Sequence, residues 1–500
     1  MIYLALENLI EYGIQKELIS RDDVFVIKNQ LMEILHLEDW KETKPTYKNE
    51  SVETLLKPII DYACEKEIIQ NTVNSKDFFD TKLMGIFTPY PREVVKTFYE
   101  KYKKNPKEAT DWYFDFSKNN NYVRSERIAK DLKWIFPCEY GNLDITINCS
   151  KPEKDPKDIA AAKNQQQLTF PKCQLCPENA GFPGRGNHPA RQNLRPIPLK
   201  INNENWQLQY SPYGYYNEHC ILFNEKHIPM KIDKDVFTKL FDFLDFLPHY
   251  FIGSNADLPI VGGSILSHEH FQGGNYHFAM EFAPIEKEFA INQFKNVKAG
   301  ILKWPMSVIR LASENKEELV ECCNYVLEKW RNYSDEKNDI FAFTEEIPHN
   351  TITPIARKNK NLYECDLVLR NNITTKERPL GVYHPNPTLH HIKKENIGLI
   401  EVMGLAVLPS RLAKEMAFME EALLKREKDP SNSSLTAHYP WICEILEKHE
   451  NITKENVKAI LQEEIGKVFL QVLLDAGVFK QTEAGKKAFG TFISFLTQHF

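Results

Sequence analysis

The sequence lacks any long run of apolar residues. Its longest apolar stretch spans residues 397–409, and Glu401 interrupts it. A helix needs about 20 consecutive apolar residues to cross a bilayer. The pattern therefore excludes a membrane span and predicts a buried helix over 397–409.

Cysteine is scarce, and there is no excess of basic charge. Ten cysteines in 500 residues exclude a disulfide scaffold, which is short and dense in cysteine. A net charge of -6 argues against a nucleic-acid surface as the main function. Residues 1–7 carry no basic segment before their apolar residues, so we expect no secretory signal. The expected compartment is the cytoplasm, where the cysteines stay reduced.

The chain length predicts more than one structural unit, because a single hydrophobic core stops growing at about 250 to 300 residues. Helical periodicity dominates residues 1–138, mixed patterns occupy 139–393, and helical patterns return over 394–500. We find no internal repeat and no low-complexity tract. The sequence therefore predicts a helical N-terminal extension, a mixed core and a mainly helical C-terminal region.

Individual elements follow from the spacing of apolar residues. Helical spacing is found over residues 5–18, 23–37, 234–247, 285–294 and 316–331. Strand patterns are found over residues 143–148, 206–210, 218–223, 338–344 and 363–369.

Residues 267–274 offer a row of polar groups that could carry chemistry. In an extended chain, His268, His270 and Gln272 point to one face. Glu269 and Phe271 point to the other. Imidazole can be a nucleophile, a proton carrier or a metal ligand near neutral pH. The two histidines could equally be two ligands of one metal, and separate roles would require a distorted strand, because ideal geometry puts both on one face.

A second candidate site begins with the Cys-x-x-Cys pair Cys173 and Cys176. Such a pair could hold zinc, act as a redox pair or simply be two buried cysteines. A tetrahedral zinc site needs two more ligands, and no second Cys or His pair lies nearby in sequence. His227 and His268 are candidates, so a zinc ion here would tie distant segments together.

A nucleophilic histidine suits phosphoryl or nucleotidyl transfer. Neutral imidazole attacks phosphorus in line, and the phosphoramidate that forms is reactive enough to pass the group onward. The phosphoryl oxygens then need hydrogen-bond donors, for which Gln272 is the first candidate. The candidate side chains for substrate binding are Ser264, Ser267 and Arg191.

Other side chains could assist, although each has an ordinary structural interpretation. Arg185 and Arg195 could bind phosphate, but surface arginines are common. Phe271 and Tyr210 could stack on a base, but aromatic residues more often belong to the core. The sequence leaves both interpretations open.

The sequence resembles the second class of galactose-1-phosphate uridylyltransferases over nearly its entire length. Residues 257–274, DLPIVGGSILSHEHFQGG, resemble the signature of that class. Residues 210–220, YSPYGYYNEHC, resemble a further family segment. The resemblance implies an α+β fold, with a histidine-triad-like antiparallel β-sheet core and helical N-terminal and C-terminal extensions.

The resemblance also implies roles for the central motif. The better-known first class carries a His-Pro-His-Gly-Gln motif, and residues 268–272 fall on that pattern. His270 is then the nucleophile that becomes uridylylated, and Gln272 is the donor that holds the phosphoryl group. Glu269 and Phe271 stand where that motif has proline and glycine, so the local backbone could differ.

A structural zinc ion, with no organic cofactor, is implied by the same resemblance. Many first-class enzymes hold zinc with a Cys-x-x-Cys pair, a histidine after a strand and the first histidine of the catalytic motif. For the histidine after the strand, His219 is the alternative to His227. In order, the matching residues here are Cys173, Cys176, His227 and His268.

The implied reaction transfers a uridylyl group from UDP-glucose to galactose 1-phosphate, as in the Leloir pathway of galactose metabolism. The expected partners are UDP-glucose, UDP-galactose and hexose 1-phosphates, without nucleic acid or membrane, and a homodimer is one assembly left open. The first alternative is a histidine-triad-type nucleotidyl hydrolase or phosphorylase, which accepts water or phosphate. The second is a zinc-braced module that binds nucleotide sugars or RNA.

Overall fold

The computed structural model describes residues 2–150, 169–263, 265–427 and 432–498. The chain divides into two compact units. The first comprises residues 1–130 and 150–228, and the second comprises residues 131–149 and 229–500. Each unit combines helices with antiparallel strands, which confirms the predicted α+β class.

Helices occupy the N-terminal part of the first unit, as predicted. Apolar spacing in the first helix buries Leu6, Leu9 and Ile10. Side-chain caps begin three of the helices: Ser51 Oγ accepts from the Thr54 amide, Thr72 Oγ1 from the Ser75 amide and Asn105 Oδ1 from the Lys107 amide. The helices are α1 Ile2–Gln15, α2 Val24–Leu35, α3 Val52–Glu65, α4 Val73–Phe87, α5 Pro91–Tyr102, α6 Pro106–Asn119 and α7 Ser125–Ile128.

An antiparallel meander completes the first unit. Its strands are β3 Ile197–Ile201, β4 Glu204–Tyr210 and β5 Cys220–Asn224. Burial alternates along β3, as expected for a strand with one face in the core. The Tyr210 hydroxyl donates to the Thr110 carbonyl of α6 at 3.1 Å, so this buried ring belongs to the core.

A large antiparallel sheet forms the centre of the second unit. Its strands run in the order β7-β6-β13-β14-β10-β9-β8, and β13 pairs with β14 over ten residues of each strand. Helices α8 Lys234–Phe246 and α9 Lys316–Arg331 pack against it. The strands are β6 Phe251–Gly253, β7 His270–Gly274, β8 Ile285–Phe289, β9 Lys298–Leu302, β10 Val308–Ser313, β13 Asn350–Asn359 and β14 Leu362–Asn371.

The second unit also holds a small three-stranded sheet and the C-terminal helices. In the small sheet, β1 Leu132–Cys138 is antiparallel and β15 Leu405–Pro409 is parallel to β2 Gly141–Asn148. No helix in the described residues is both long and apolar enough to cross a membrane. The C-terminal helices are α10 Leu399–Val402, α11 Arg411–Lys425, α12 Tyr439–Lys448, α13 Val457–Ala476 and α14 Glu483–Thr497.

Three predicted elements differ from the structure. Residues 285–294 begin with strand β8 rather than a helix, because their polar backbone groups pair with β9 at the sheet edge. Residues 397–409 form α10 and then β15, with Gly404 at a φ of +104° between them, so the predicted single helix is wrong. Residues 338–344 contribute only the two-residue strand β11 Phe343–Thr344, which pairs with β12 Ile347–Pro348.

Candidate active site and metal centre

The segment before the histidine motif, residues 257–263, is held in place by the carboxylate of Asp257, which is 10% exposed. Asp257 Oδ2 accepts hydrogen bonds from the Ile232 amide at 2.9 Å and from Arg331 Nη2 at 3.3 Å. Its other oxygen, Oδ1, accepts from Thr351 Oγ1 on β13 at 2.5 Å. No local pattern predicted these partners, which lie 25, 74 and 94 residues away in the chain.

The same segment, residues 257–263, has no room for a side chain at Gly262. A Cβ atom there would lie 2.5 Å from the Ala256 carbonyl oxygen and 2.7 Å from that of Leu258. Both contacts involve backbone atoms and cannot be relieved by side-chain rotation. The glycine of this segment is therefore required by close backbone packing.

Strand β7 begins at His270, two residues later than an extended motif would require. It pairs with β6 through Ile252 opposite Gly273 and Gly253 opposite Gln272. Because His268 precedes the strand, the alternation of faces does not apply to it. His270 and Gln272 do share one face of β7.

His270 is buried, and its ring orientation is set by the backbone. Its Nδ1 lies 2.7 Å from the His268 carbonyl oxygen, which can only accept a hydrogen bond. Nδ1 therefore carries the proton, and the lone pair of the neutral ring lies on Nε2. Burial, partly opposed by this hydrogen bond, lowers the pKa of His270 to about 4. The imidazole is neutral at physiological pH.

The other predicted site residues of the motif differ in exposure. Gln272 is half-buried, Ser267 is exposed, and Ser264 lies outside the described residues. Phe271 is only 1% exposed, so it packs in the core and offers no face for a base.

Glu269 makes a contact that the sequence did not reveal. Its Oε1 lies 2.7 Å from Nζ of Lys239 on α8, and both side chains are 7% exposed. The carboxylate thus points away from solvent into a buried ion pair. Thirty residues separate the two partners, so no local pattern could have predicted the pairing.

The Cys-x-x-Cys pair and His227 lie together in the first unit. The two sulfur atoms are 3.6 Å apart, and Cys176 Sγ is 3.2 Å from His227 Nδ1. A sulfur separation of this size is far longer than the roughly 2.05 Å of a disulfide. These three residues form a Cys/His cluster that could bind a metal.

The geometry of this cluster fits zinc. Tetrahedral ligands about 2.3 Å (sulfur) and 2.0 Å (nitrogen) from zinc lie roughly 3.5 to 3.8 Å from one another. The observed separations of 3.6 and 3.2 Å are close to those edges. His219, the alternative ligand, instead lies against the ring of Tyr216, with 4.5 Å between the ring centroids.

Further hydrogen bonds hold the Cys-x-x-Cys turn in shape. Asn179 Nδ2 donates to the carbonyls of Cys173 and Cys176, each at 2.8 Å. His188 Nε2 donates in turn to Asn179 Oδ1 at 2.6 Å. Such outer partners orient the residues that hold a metal.

The candidate arginines belong to the first unit. Arg191 donates to the Ala190 carbonyl at 3.1 Å and lies over the ring of Tyr122. Arg195 donates to the carbonyls of Pro89 and Gln192, among others, and so stabilises the backbone. Arg185 donates to the Phe170 carbonyl at 2.6 Å.

Comparison with known proteins places the chain among enzymes of the nucleotidyltransferase class. Residues 18–229 match the N-terminal domain and residues 244–443 the C-terminal domain of galactose-1-phosphate uridyl transferase. The chain belongs to the galactose-1-phosphate uridylyltransferase family. This confirms the family predicted from the sequence.

Full-length relatives support the assignment. The galactose-1-phosphate uridylyltransferase of Clostridium acetobutylicum is 51% identical, with 99% of this chain and 100% of the relative covered. Those of Fusobacterium nucleatum and Bacillus subtilis are 52% and 50% identical, over 99% and 98% of this chain and 99% and 96% of their own. Yeast Ap4A phosphorylase Apa2 covers 68% of this chain and 96% of its own, at 12% identity and a TM-score of 0.35, too low to support a fold argument.

Proposed function

We propose that the protein transfers a uridylyl group from UDP-glucose to galactose 1-phosphate through a covalent intermediate on His270. Family membership supports the reaction class. The observation that carries the proposal is the 2.7 Å hydrogen bond from His270 Nδ1 to the His268 carbonyl. It leaves the ring lone pair on Nε2, the atom that must attack phosphorus.

In the first half-reaction, Nε2 attacks the α-phosphorus of UDP-glucose. A P–N bond forms, the P–O bond to glucose 1-phosphate breaks, and that product leaves as an anion. The uridylylated ring keeps its Nδ1 proton and becomes cationic. The His268 carbonyl, already hydrogen-bonded to that proton, stabilises the new charge.

In the second half-reaction, a phosphate oxygen of galactose 1-phosphate attacks the same phosphorus. The P–N bond breaks, and His270 returns to its neutral form with the proton still on Nδ1. No proton has to be moved, because the attacking phosphate is already anionic at neutral pH. The reaction therefore needs no general base.

Gln272 is the proposed donor to the uridylyl phosphoryl oxygens. It lies two residues after His270 on the same face of β7, and its amide can donate to an anionic oxygen. Ser264, Ser267 and Arg191 stay proposed substrate-binding residues. The relatives are galactose-1-phosphate uridylyltransferases, which supports galactose 1-phosphate as the acceptor for this chain.

We also propose a structural zinc ion held by Cys173, Cys176 and His227, with His268 as the fourth ligand. The separations within the first three residues fit tetrahedral edges, and His268 is fully buried. A bound zinc ion supplies cross-linking between chain segments. The catalytic steps require no Lewis acid.

The test is mass spectrometry of the protein after treatment with UDP-glucose alone. We expect a uridylyl adduct on His270 and a stoichiometric burst of glucose 1-phosphate, with turnover only when galactose 1-phosphate is added. His270→Gly should form no adduct, while the control His277→Gly, at an exposed histidine, should behave like the wild type. Steady release of UMP would instead identify a hydrolase.

Two further proposals concern the cellular location of the enzyme and its assembly as a homodimer. We propose a cytoplasmic location, consistent with substrates that are intermediates of sugar metabolism. A homodimer is tested by light scattering of the purified protein. Unaltered biological activity of His270→Gly would favour a binding module over the transferase.

A further inference from the structure

The ion pair between Lys239 and Glu269 involves the residue that directly precedes the proposed nucleophile in the chain. Glu269 stands between His268 and His270 in the chain, and its side chain is anchored 2.7 Å from Lys239 Nζ. Both side chains are 7% exposed, so the two charges face each other away from bulk water.

The lysine projects from a well-fixed helix. Helix α8 begins where the Asp233 side chain accepts from the Asp235 amide at 3.1 Å. Its apolar side, which includes Phe237, Leu240 and Phe241, is buried. Lys239 therefore offers a rigid anchoring point for the motif.

Stability alone does not account for such a pair. Withdrawing two charges from water costs about as much free energy as their attraction returns, and apolar residues of similar size often stabilise a fold better. A buried pair does, however, fix the relative position of the segments that carry it. Here those segments are α8 and the residue between the two motif histidines.

Glu269 lies in the chain between the two residues joined by the hydrogen bond that orients His270. That bond runs from the His270 ring to the His268 carbonyl. The His268 carbonyl is joined to the amide of Glu269 by one peptide bond, and it accepts from the ring two residues further on. A hydrogen bond weakens steeply when its angle or distance departs from the preferred range. A displaced Glu269 backbone would therefore turn the His270 ring.

We infer that the Lys239–Glu269 ion pair is a positioning device for the histidine nucleophile, and this inference rests on the proposed function. The pair holds the backbone so that the His268 carbonyl sets the ring of His270.

The test compares Glu269→Gln, Lys239→Met and the double variant, in single-turnover reactions with UDP-glucose. We expect each to slow the glucose 1-phosphate burst roughly 10- to 100-fold, because a displacement of about 1 Å can cost that much rate. The KM for UDP-glucose should stay within about twofold. Lys239→Arg keeps a cation opposite Glu269 and should restore the burst rate.

The double variant separates positioning from simple destabilisation. It removes both charges of the pair together, so it should fold while still reacting slowly. Lys234→Met, which breaks an exposed ion pair on the same helix, is the matched control and should react at the wild-type rate. Circular dichroism establishes that each variant is folded.

The outcomes distinguish this inference from the proposed function. A wild-type burst together with a fully active double variant would overturn the positioning role and leave the proposed function standing. A wild-type enzyme that forms no adduct would overturn both. A slow, folded double variant with an unchanged KM supports the inference.

Discussion

Asp257 accepts three hydrogen bonds before the histidine motif, so we expect its substitution to lower the free energy of unfolding. Asp257→Asn keeps the shape of the side chain but removes its charge, and only one of its two terminal atoms can still accept. The carboxylate accepts from a backbone amide, a hydroxyl and a guanidinium, and its side chain is 10% exposed. Hydrogen bonds to a charged group are worth about 1.5–3 kcal/mol each.

We expect the variant to lose about 2–4 kcal/mol in the free energy of unfolding. Thr351 can rotate its hydroxyl to accept from the new amide, so the loss falls on the interactions with Ile232 and Arg331. For a unit of this size, each kcal/mol lowers the Tm by roughly 2–4 °C. The expected decrease in Tm is therefore roughly 4–16 °C.

Thermal unfolding followed by circular dichroism measures this difference. Asp61→Asn removes an exposed carboxylate from a surface pair on α3 and is the control, for which we expect no measurable change. A decrease in the Tm of Asp257→Asn below about 1 °C would show that the Asp257 hydrogen bonds contribute little to stability. Residues 257–263 would then be held by other contacts.

Two further predictions concern the cysteines and a buried carboxylate. Cys176→Ser should lower both zinc content, measured by plasma emission spectroscopy, and Tm; unchanged values for both would remove the zinc proposal. Burial alone would raise the pKa of Asp366, but Arg357 and Arg310 hold it below its usual value. Its stabilising effect is therefore present above about pH 4, the unfolded value, and is lost as the pH falls through the folded pKa. The Tm difference between wild type and Asp366→Asn should shrink from pH 7 to pH 3, and a constant difference would contradict this.

Patterns confined to one segment predicted the fold well. The alternation over residues 143–148 corresponds to β2, and the apolar spacing over 316–331 corresponds to α9. The prediction failed where pairing with a distant strand decided the outcome. Residues 405–409 form a strand because β2 offers them a parallel partner more than 250 residues away, which no local pattern encodes.

In the candidate site, too, local patterns were predictable from the sequence and contacts with distant residues were not. The Cys-x-x-Cys spacing indicated a metal-binding pair as one of three interpretations, and the structure brings His227 to it. Lys239 and the partners of Asp257 could not be predicted, because each is joined to the motif only by the fold. The boundaries at residues 138 and 393 and the histidine-triad-like topology stay predictions.

The start of β7 resolves the difficulty that two histidines on one strand would share a face. Because the strand begins at His270, His270 and Gln272 follow the alternation of side chains between the two faces. The direction of the His268 side chain is not set by that alternation. What His268 provides to His270 is its carbonyl, not its ring. A substitution of His268 keeps that carbonyl, so it tests the proposed role of the His268 ring as a zinc ligand apart from the orientation of His270. Orientation of His270 by the His268 carbonyl and the proposed zinc binding by the His268 ring can therefore be tested separately.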